Sequence, residues 1–290
     1  MKPAGVYTAL VTPFKNGQVD EASLLKLVKQ QMGAGVRQFV VNGTTAESPT
    51  LSEEESLAIL KLVTKAAGPQ ATIMFGSGSN NTKKTVEFSQ KAVAAGAKSL
   101  LVVVPYYNKP PQQGLYEHFK TVADEAGAPV LLYNVPGRTI TTLEVDTIQK
   151  LSQHKNICGI KEATGNLEFA QKILTACGAS WSVLSGDDET CLDLKKLGGH
   201  GVISVCSHIM PRKMSQWFSQ PITAEAQEDF RGSLELIRSL YITANPIPVK
   251  AALQILGVIE SDEMRLPLCR LTSEQKKQVE QTLKKYETYL

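Results

Sequence analysis

Lys161 closes a short apolar run, Ile157-Cys158-Gly159-Ile160, and Glu162 then leads into the turn-forming stretch Ala163-Thr164-Gly165-Asn166. A lysine at the carboxyl end of a buried strand is uncommon, because its charged head is almost never fully buried without a partner. Such a side chain can simply reach solvent, or pair with Glu162. Desolvated, its amine is instead a nucleophile that condenses with a ketone. Water leaves, the protonated imine draws electrons, and the neighbouring carbon sheds a proton and becomes a nucleophile itself.

Chemistry of this kind needs proton shuttles and holders for a substrate carboxylate. Tyr133-Asn134-Val135-Pro136-Gly137-Arg138-Thr139 offers a phenol and a guanidinium, Asn42-Gly43-Thr44-Thr45-Ala46-Glu47 offers hydroxyls on a turn, and Pro105-Tyr106-Tyr107-Asn108 offers further phenols. Tyr and Thr can pass protons. The backbone N–H groups and hydroxyls of Gly43-Thr44-Thr45 suit one carboxylate, and the planar fork of Arg138 suits a second. Ser185-Gly186-Asp187-Asp188 and Ile203-Ser204 complete the set. Each has a plainer reading: a tyrosine at a strand end as an amphipathic rim residue, paired threonines as turn chemistry, Arg138 as a surface charge. The acidic run Asp187-Asp188-Glu189 reads most simply as an N-cap and first helical turn. It also argues against a phosphate site there.

The elements that must position these residues alternate from the start. Strand patterns fall at 6–11, 38–41, 72–76, 99–104, 130–133, 157–160, 182–184 and 202–205. Helical patterns follow at 20–34, 52–67, 82–95, 112–126, 143–152, 167–177, 188–197 and 211–219. Ser52 with Glu55 forms a capping box ahead of the second helix. Eight such units over about 220 residues predict a (β/α)8 TIM barrel, an α/β fold, with functional groups at the carboxyl ends of the strands. An open doubly wound sheet fits less well, since no Gly-rich dinucleotide fingerprint follows an early strand. The alternation then stops, and helical patterns at 224–241, 249–256 and 273–289 predict a small C-terminal helical region. The expected division is a catalytic barrel over 1–222 and a helical domain over 223–290.

The 290 residues, 42% hydrophobic and 20% charged, describe a soluble globular protein. A net charge of +3 without a basic block gives no reason to expect nucleic acid or an anionic membrane as partner. The five scattered cysteines and four scattered histidines lack metal-ligand spacing, so no metal, no cofactor and reduced thiols in the cytoplasm are expected. The apolar residues at 4–14 are too few to span a bilayer.

Along nearly its whole length the chain resembles the pyruvate-dependent class I aldolases, the family of dihydrodipicolinate synthase and N-acetylneuraminate lyase. The resemblance rests on Ala9-Leu10-Val11-Thr12-Pro13-Phe14, Val104-Pro105-Tyr106-Tyr107-Asn108, the segments around Tyr133 and Lys161, Ser185-Gly186-Asp187-Asp188, Gly198-Gly199-His200-Gly201-Val202-Ile203-Ser204 and Asn245-Pro246-Ile247-Pro248-Val249-Lys250. It implies a lyase in which Lys161 forms the imine with pyruvate and Tyr133 is the general acid/base. Thr44 would link Tyr133 to Tyr107 of a neighbouring subunit, and Thr45 with Thr44 would hold the pyruvate carboxylate. Arg138 would hold the carboxylate of L-aspartate 4-semialdehyde, with backbone contacts from Gly186 and Ile203. The implied product is 4-hydroxy-tetrahydrodipicolinate, for diaminopimelate and lysine synthesis, made by a homotetramer or homodimer. Arg138 favours this branch over the sugar-acid lyases acting on N-acetylneuraminate or 2-keto-3-deoxygluconate. A keto-acid-binding barrel without catalysis is the remaining alternative.

Two positions depart from the family pattern. Ala46 stands where glycine is usual; if the turn needs φ > 0 there, alanine costs about 1 kcal/mol. In relatives inhibited by lysine, the ligand sits at positions matching Ser48, Pro49, Glu53, Ser56, Asn80, Lys84 and Tyr106. Lys84 replaces an acidic residue and sets an ammonium against the ligand's own, so insensitivity to lysine is expected.

Overall fold

The computed structural model describes residues 2–290. Among them, eight strands form a closed barrel in which each neighbours the next in sequence and the first neighbours the last. They are β1 (Gly5–Ala9), β2 (Gln38–Val41), β3 (Thr72–Gly76), β4 (Ser99–Val103), β5 (Val130–Asn134), β6 (Ile157–Glu162), β7 (Ser182–Ser185) and β8 (Gly201–Ser204). The predicted (β/α)8 order is therefore the observed one. The intervening helices are α1 (Glu21–Gly33), α2 (Glu53–Ala67), α3 (Thr82–Ala94), α4 (Gln112–Glu125), α5 (Val145–Ser152), α6 (Leu167–Cys177), α7 (Cys191–Lys196) and α8 (Pro211–Ser219). Local chemistry starts α1 and α2 where the sequence says. Asp20 caps α1 by accepting from Ser23 N at 3.0 Å, and Ser52 and Glu55 exchange both capping-box bonds at the start of α2.

The packing divides the chain into two compact units, residues up to Gly5 with Ile73–Ile203, and Val6–Thr72 with Ser204–Leu290. The first unit holds β4 to β7, whose apolar runs are buried except at half-buried Val103 and Cys158, as expected of parallel strands between helices. Register sets Tyr133 beside Lys161 and Lys161 beside Leu184. Gly159 fixes the approach of β6 to β7: its φ of +153° and the adjacent Ser182 carbonyl leave no room for a Cβ.

His118 lies buried on α4 in this unit, with Nδ1 3.0 Å from Thr82 Oγ1 and Nε2 without a hydrogen-bond partner among the described residues. Burial pushes its pKa down from 6.5 to about 4. The folded state then binds fewer protons than the unfolded one between those values. Its contribution is complete above pH 6.5 and is lost as pH falls towards 4, up to about 3 kcal/mol. Urea melts between pH 7 and pH 4 are expected to show a steeper acid loss for the native chain than for His118→Gln; parallel curves would rule this out.

In the second unit, Gln31 ties β1 to the segment after β8. Its Oε1 accepts from Thr8 Oγ1 at 2.9 Å, and its Nε2 donates to Ser207 O at 3.1 Å. A two-residue hairpin, Phe14–Lys15 with Gln18–Val19, turns at Asn16-Gly17, both with positive φ. The tail carries α9 (Ala224–Gly232), α10 (Leu234–Ser239), α11 (Ile247–Ile255) and α12 (Ser273–Lys285). The helical pattern read over 224–241 is thus two helices. The break falls at Gly232-Ser233, where Tyr289 Oη would lie 2.7 Å from an added Cβ and Ser233 Oγ donates to Phe230 O at 2.7 Å.

Candidate active site

β6 runs two residues beyond its expected end at Ile160, so Lys161 and Glu162 are themselves strand residues. Strand alternation sends their side chains to opposite faces. Glu162 is held away from Lys161: its Oε2 accepts from Asn134 Nδ2 at 2.8 Å and its Oε1 from Thr164 N at 2.6 Å. Asn134 Oδ1 in turn accepts from Leu143 N at 3.0 Å. Burial raises the Glu162 pKa, against the pull of these hydrogen bonds. Lys161 itself is only 7% exposed, and its Nζ stands 4.3 Å from the centroid of the Tyr133 ring. The amine and the phenol-bearing ring proposed from sequence are therefore together, on adjacent strands.

Gly186 completes this group. A Cβ there would come within 2.5 Å of Ala163 Cβ and 2.8 Å of Lys161 Cε. The glycine makes room for the lysine stem. Gly186→Ala is expected to push Lys161 out of line and to destabilise the fold by about 1–3 kcal/mol. The rate of Lys161 modification by pyruvate and borohydride should fall with it; an unchanged rate would contradict the packing argument.

The hydroxyl-bearing turn belongs to the other unit. Thr44–Ala46 is one turn of 3-10 helix directly after β2, closed by Ala46 N donating to Gly43 O at 3.1 Å. The left-handed conformation falls on Glu47, φ 56° and ψ 36°, rather than on Ala46. The strain anticipated at Ala46 does not arise, and Glu47 carries it instead. Glu47 is buried, and its Oε1 lies 2.7 Å from Lys250 Nζ in an ion pair with both side chains at 0% exposure. Its Oε2 accepts from Arg265 N at 3.1 Å. Lys250 also donates to Glu263 O and sits 4.4 Å over the Phe14 ring. Burial lowers the Lys250 pKa, partly offset by Glu47. Asn245 Nδ2 donates to Thr45 Oγ1 at 2.9 Å. Sequence reasoning gave Asn245, Lys250 and Glu47 no role. Their only signal was membership of motifs, since the partners lie some 200 residues apart.

The remaining residues lie as follows. Ile203 is buried on β8, and Thr44 is half-buried. Arg138 is exposed on the single helical turn Pro136–Thr139, which Thr139 Oγ1 pins to Val135 O at 3.1 Å. Tyr107, φ 75° and 85% exposed, stands out from the loop after β4. The Asp187-Asp188-Glu189 run does not begin α7, contrary to expectation. Thr190 occupies the N-cap position, and Asp187 Oδ2 accepts from Thr190 N at 3.0 Å and Oγ1 at 2.6 Å. Burial raises the Asp187 pKa. Ser56 is buried, with Oγ donating to Asn42 Oδ1 at 3.0 Å, and Lys84 is exposed on α3. Among the described residues no group of His, Cys, Asp and Glu has the arrangement of a metal site, and no helix is long and apolar enough to cross a membrane.

Known proteins match the chain along nearly its whole length. A protein of Bdellovibrio bacteriovorus named 4-hydroxy-tetrahydrodipicolinate synthase is 52% identical over 284 residues, 97% of each chain. The crystal structure of dihydrodipicolinate synthase from Aquifex aeolicus superposes with a TM-score of 0.95 at 41% identity, covering 99% of both chains. That of the chloride-inhibited enzyme from Acinetobacter baumannii, complexed with pyruvate, gives 0.93 at 37% identity over 97% of both. The sequence profile of the dihydrodipicolinate synthetase family matches residues 2–286. The chain belongs to the dihydrodipicolinate synthetase family.

Proposed function

We propose that this protein condenses pyruvate with L-aspartate 4-semialdehyde to give 4-hydroxy-tetrahydrodipicolinate, through an imine on Lys161. The observation that carries the reading is the buried Lys161 amine, 4.3 Å over the Tyr133 ring at the carboxyl end of its strand. Such strand ends open on the catalytic rim of a (β/α)8 barrel. The relatives named 4-hydroxy-tetrahydrodipicolinate synthase support the same reading.

The Lys161 amine adds to C2 of pyruvate and water departs. Loss of a proton from C3 gives an enamine, which forms the new carbon–carbon bond at the aldehyde carbon. Tyr133 gives the aldehyde oxygen its proton, with Thr44 and a neighbouring subunit's Tyr107 as the relay that resupplies it. The amino group of the semialdehyde then attacks the imine carbon, closes the ring and releases Lys161. Thr44 and Thr45 hold the pyruvate carboxylate, Arg138 the second carboxylate, and Gly186 and Ile203 contribute backbone contacts. In this scheme neither metal nor cofactor takes part. The high exposure of Tyr107 favours an assembly in which it packs against a second copy, a homotetramer built from dimers or the dimer alone.

Incubation with pyruvate followed by borohydride and peptide mapping tests the reading. Reduced pyruvate on Lys161 is expected, and an adduct confined to another lysine would overturn it. A coupled assay across candidate aldehydes then identifies the acceptor. Lysine is expected not to inhibit, because exposed Lys84 opposes its ammonium; half-inhibition below the millimolar range would contradict this.

A further inference from the structure

We propose that Asn245 is a positioning residue of the keto-acid pocket: its amide donates to Thr45 Oγ1 and thereby turns the Thr45 hydroxyl proton towards the substrate carboxylate. The inference rests on the reading that the Thr44-Thr45 turn holds that carboxylate. A threonine hydroxyl has one proton and two acceptor lone pairs, and in open solution it rotates to suit any neighbour. Here Asn245 Nδ2 lies 2.9 Å from Thr45 Oγ1 and uses one lone pair as acceptor. The hydroxyl proton cannot point along that same line, so Thr45 is presented as a donor. A hydroxyl donating to a carboxylate makes a charge-assisted bond, stronger than a neutral one.

Asn245 is itself held in place. It stands two residues before α11, and Lys250 on that helix forms the buried ion pair with Glu47. Thr45 and Glu47, the two ends of a three-residue stretch, are thus each bonded to the same short segment, Asn245 and Lys250. Thr45 is 4% exposed and Asn245 half-buried, so little water competes for the hydroxyl. A turn that needed only to be folded would not need the hydroxyl rotor fixed as well.

Two variants separate orientation from mere packing. Asn245→Asp keeps the shape but replaces the donor with an acceptor, so the Thr45 proton turns to the new carboxylate and away from substrate. Asn245→Ala only frees the rotor. The pyruvate KM is expected to rise about tenfold in Asn245→Ala and about a hundredfold in Asn245→Asp. The semialdehyde KM and the thermal midpoint should stay near those of the native chain in both. An unchanged pyruvate KM in Asn245→Asp overturns the proposal. So does an equal rise in both KM values accompanied by a fall in the midpoint, which is what a structural role predicts. Borohydride trapping on the native chain separates the two levels. An adduct on Lys161 together with a native-like Asn245→Asp removes this inference alone; no adduct on Lys161 removes the reading beneath it as well.

Discussion

Lys161→Ala is expected to lower kcat by a factor on the order of 10⁴ to 10⁶, the range seen when a covalent nucleophile is removed from a working site. The protein should still fold. Lys161 is 7% exposed, and the alanine keeps the strand geometry of β6 while removing a buried amine. Pyruvate should still bind, because the turn proposed to hold its carboxylate lies on another segment. A fall in kcat without a matching rise in the pyruvate dissociation constant is therefore the signature to seek. Tyr133→Phe should lose less, about 10²- to 10⁴-fold, since it removes the proposed proton shuttle and leaves the imine able to form. Borohydride would still label Lys161 in that variant. If Lys161→Ala retained more than a hundredth of the native kcat, covalent catalysis through this residue would be excluded.

The largest effect on stability is expected at Lys250. Lys250→Met leaves Glu47 buried at 0% exposure without the ammonium 2.7 Å from its Oε1. Removing one partner of a buried pair costs about 3–5 kcal/mol, because the other charge stays behind. Glu47 is also in the left-handed region at φ 56°, a conformation that costs a non-glycine residue about 1–2 kcal/mol and that its neighbours must enforce. Without Lys250 its carboxylate keeps the bond from Arg265 N at 3.1 Å, and its backbone keeps the bonds to Thr44 O and from Thr50 N. Taking out both charges, as Lys250→Met with Glu47→Leu, should recover part of the loss, since two apolar residues leave no bare charge. Urea unfolding of the three chains measures this. A single-variant loss below about 1 kcal/mol would mean that the pair is weaker than its burial implies.

The barrel was legible because its strands are continuous apolar runs and its helices start with recognisable caps, such as Ser52 with Glu55. The boundaries that moved did so for local reasons. β6 continues through Lys161 and Glu162 because Asn134 and Thr164 N satisfy the Glu162 carboxylate, a compensation that hydrophobicity does not register. The tail helix broke at Gly232 because Tyr289 packs there, and no window of neighbouring residues contains that fact. Lys161 and Tyr133 could be found from sequence, as polar residues ending apolar strands. Glu47 and Lys250 could not be paired, since only the folded chain brings them together. Ala46 drew attention as the odd residue of its motif, yet the strained backbone was one position further on.

The bonds that hold the Thr44–Ala46 turn also have a place in time. A ribosome adds about 5–20 residues per second. Tyr133 and Lys161 leave it 28 positions apart, but Glu47 waits 203 positions for Lys250 and 218 for the Arg265 amide. At those speeds the delay is roughly 10–40 s. Throughout it, the Glu47 carboxylate has neither of these partners, and they cannot yet enforce its left-handed backbone. The strands that carry Tyr133 and Lys161 are thus synthesised well before the Thr44–Ala46 turn can be locked by Lys250 and the Arg265 amide.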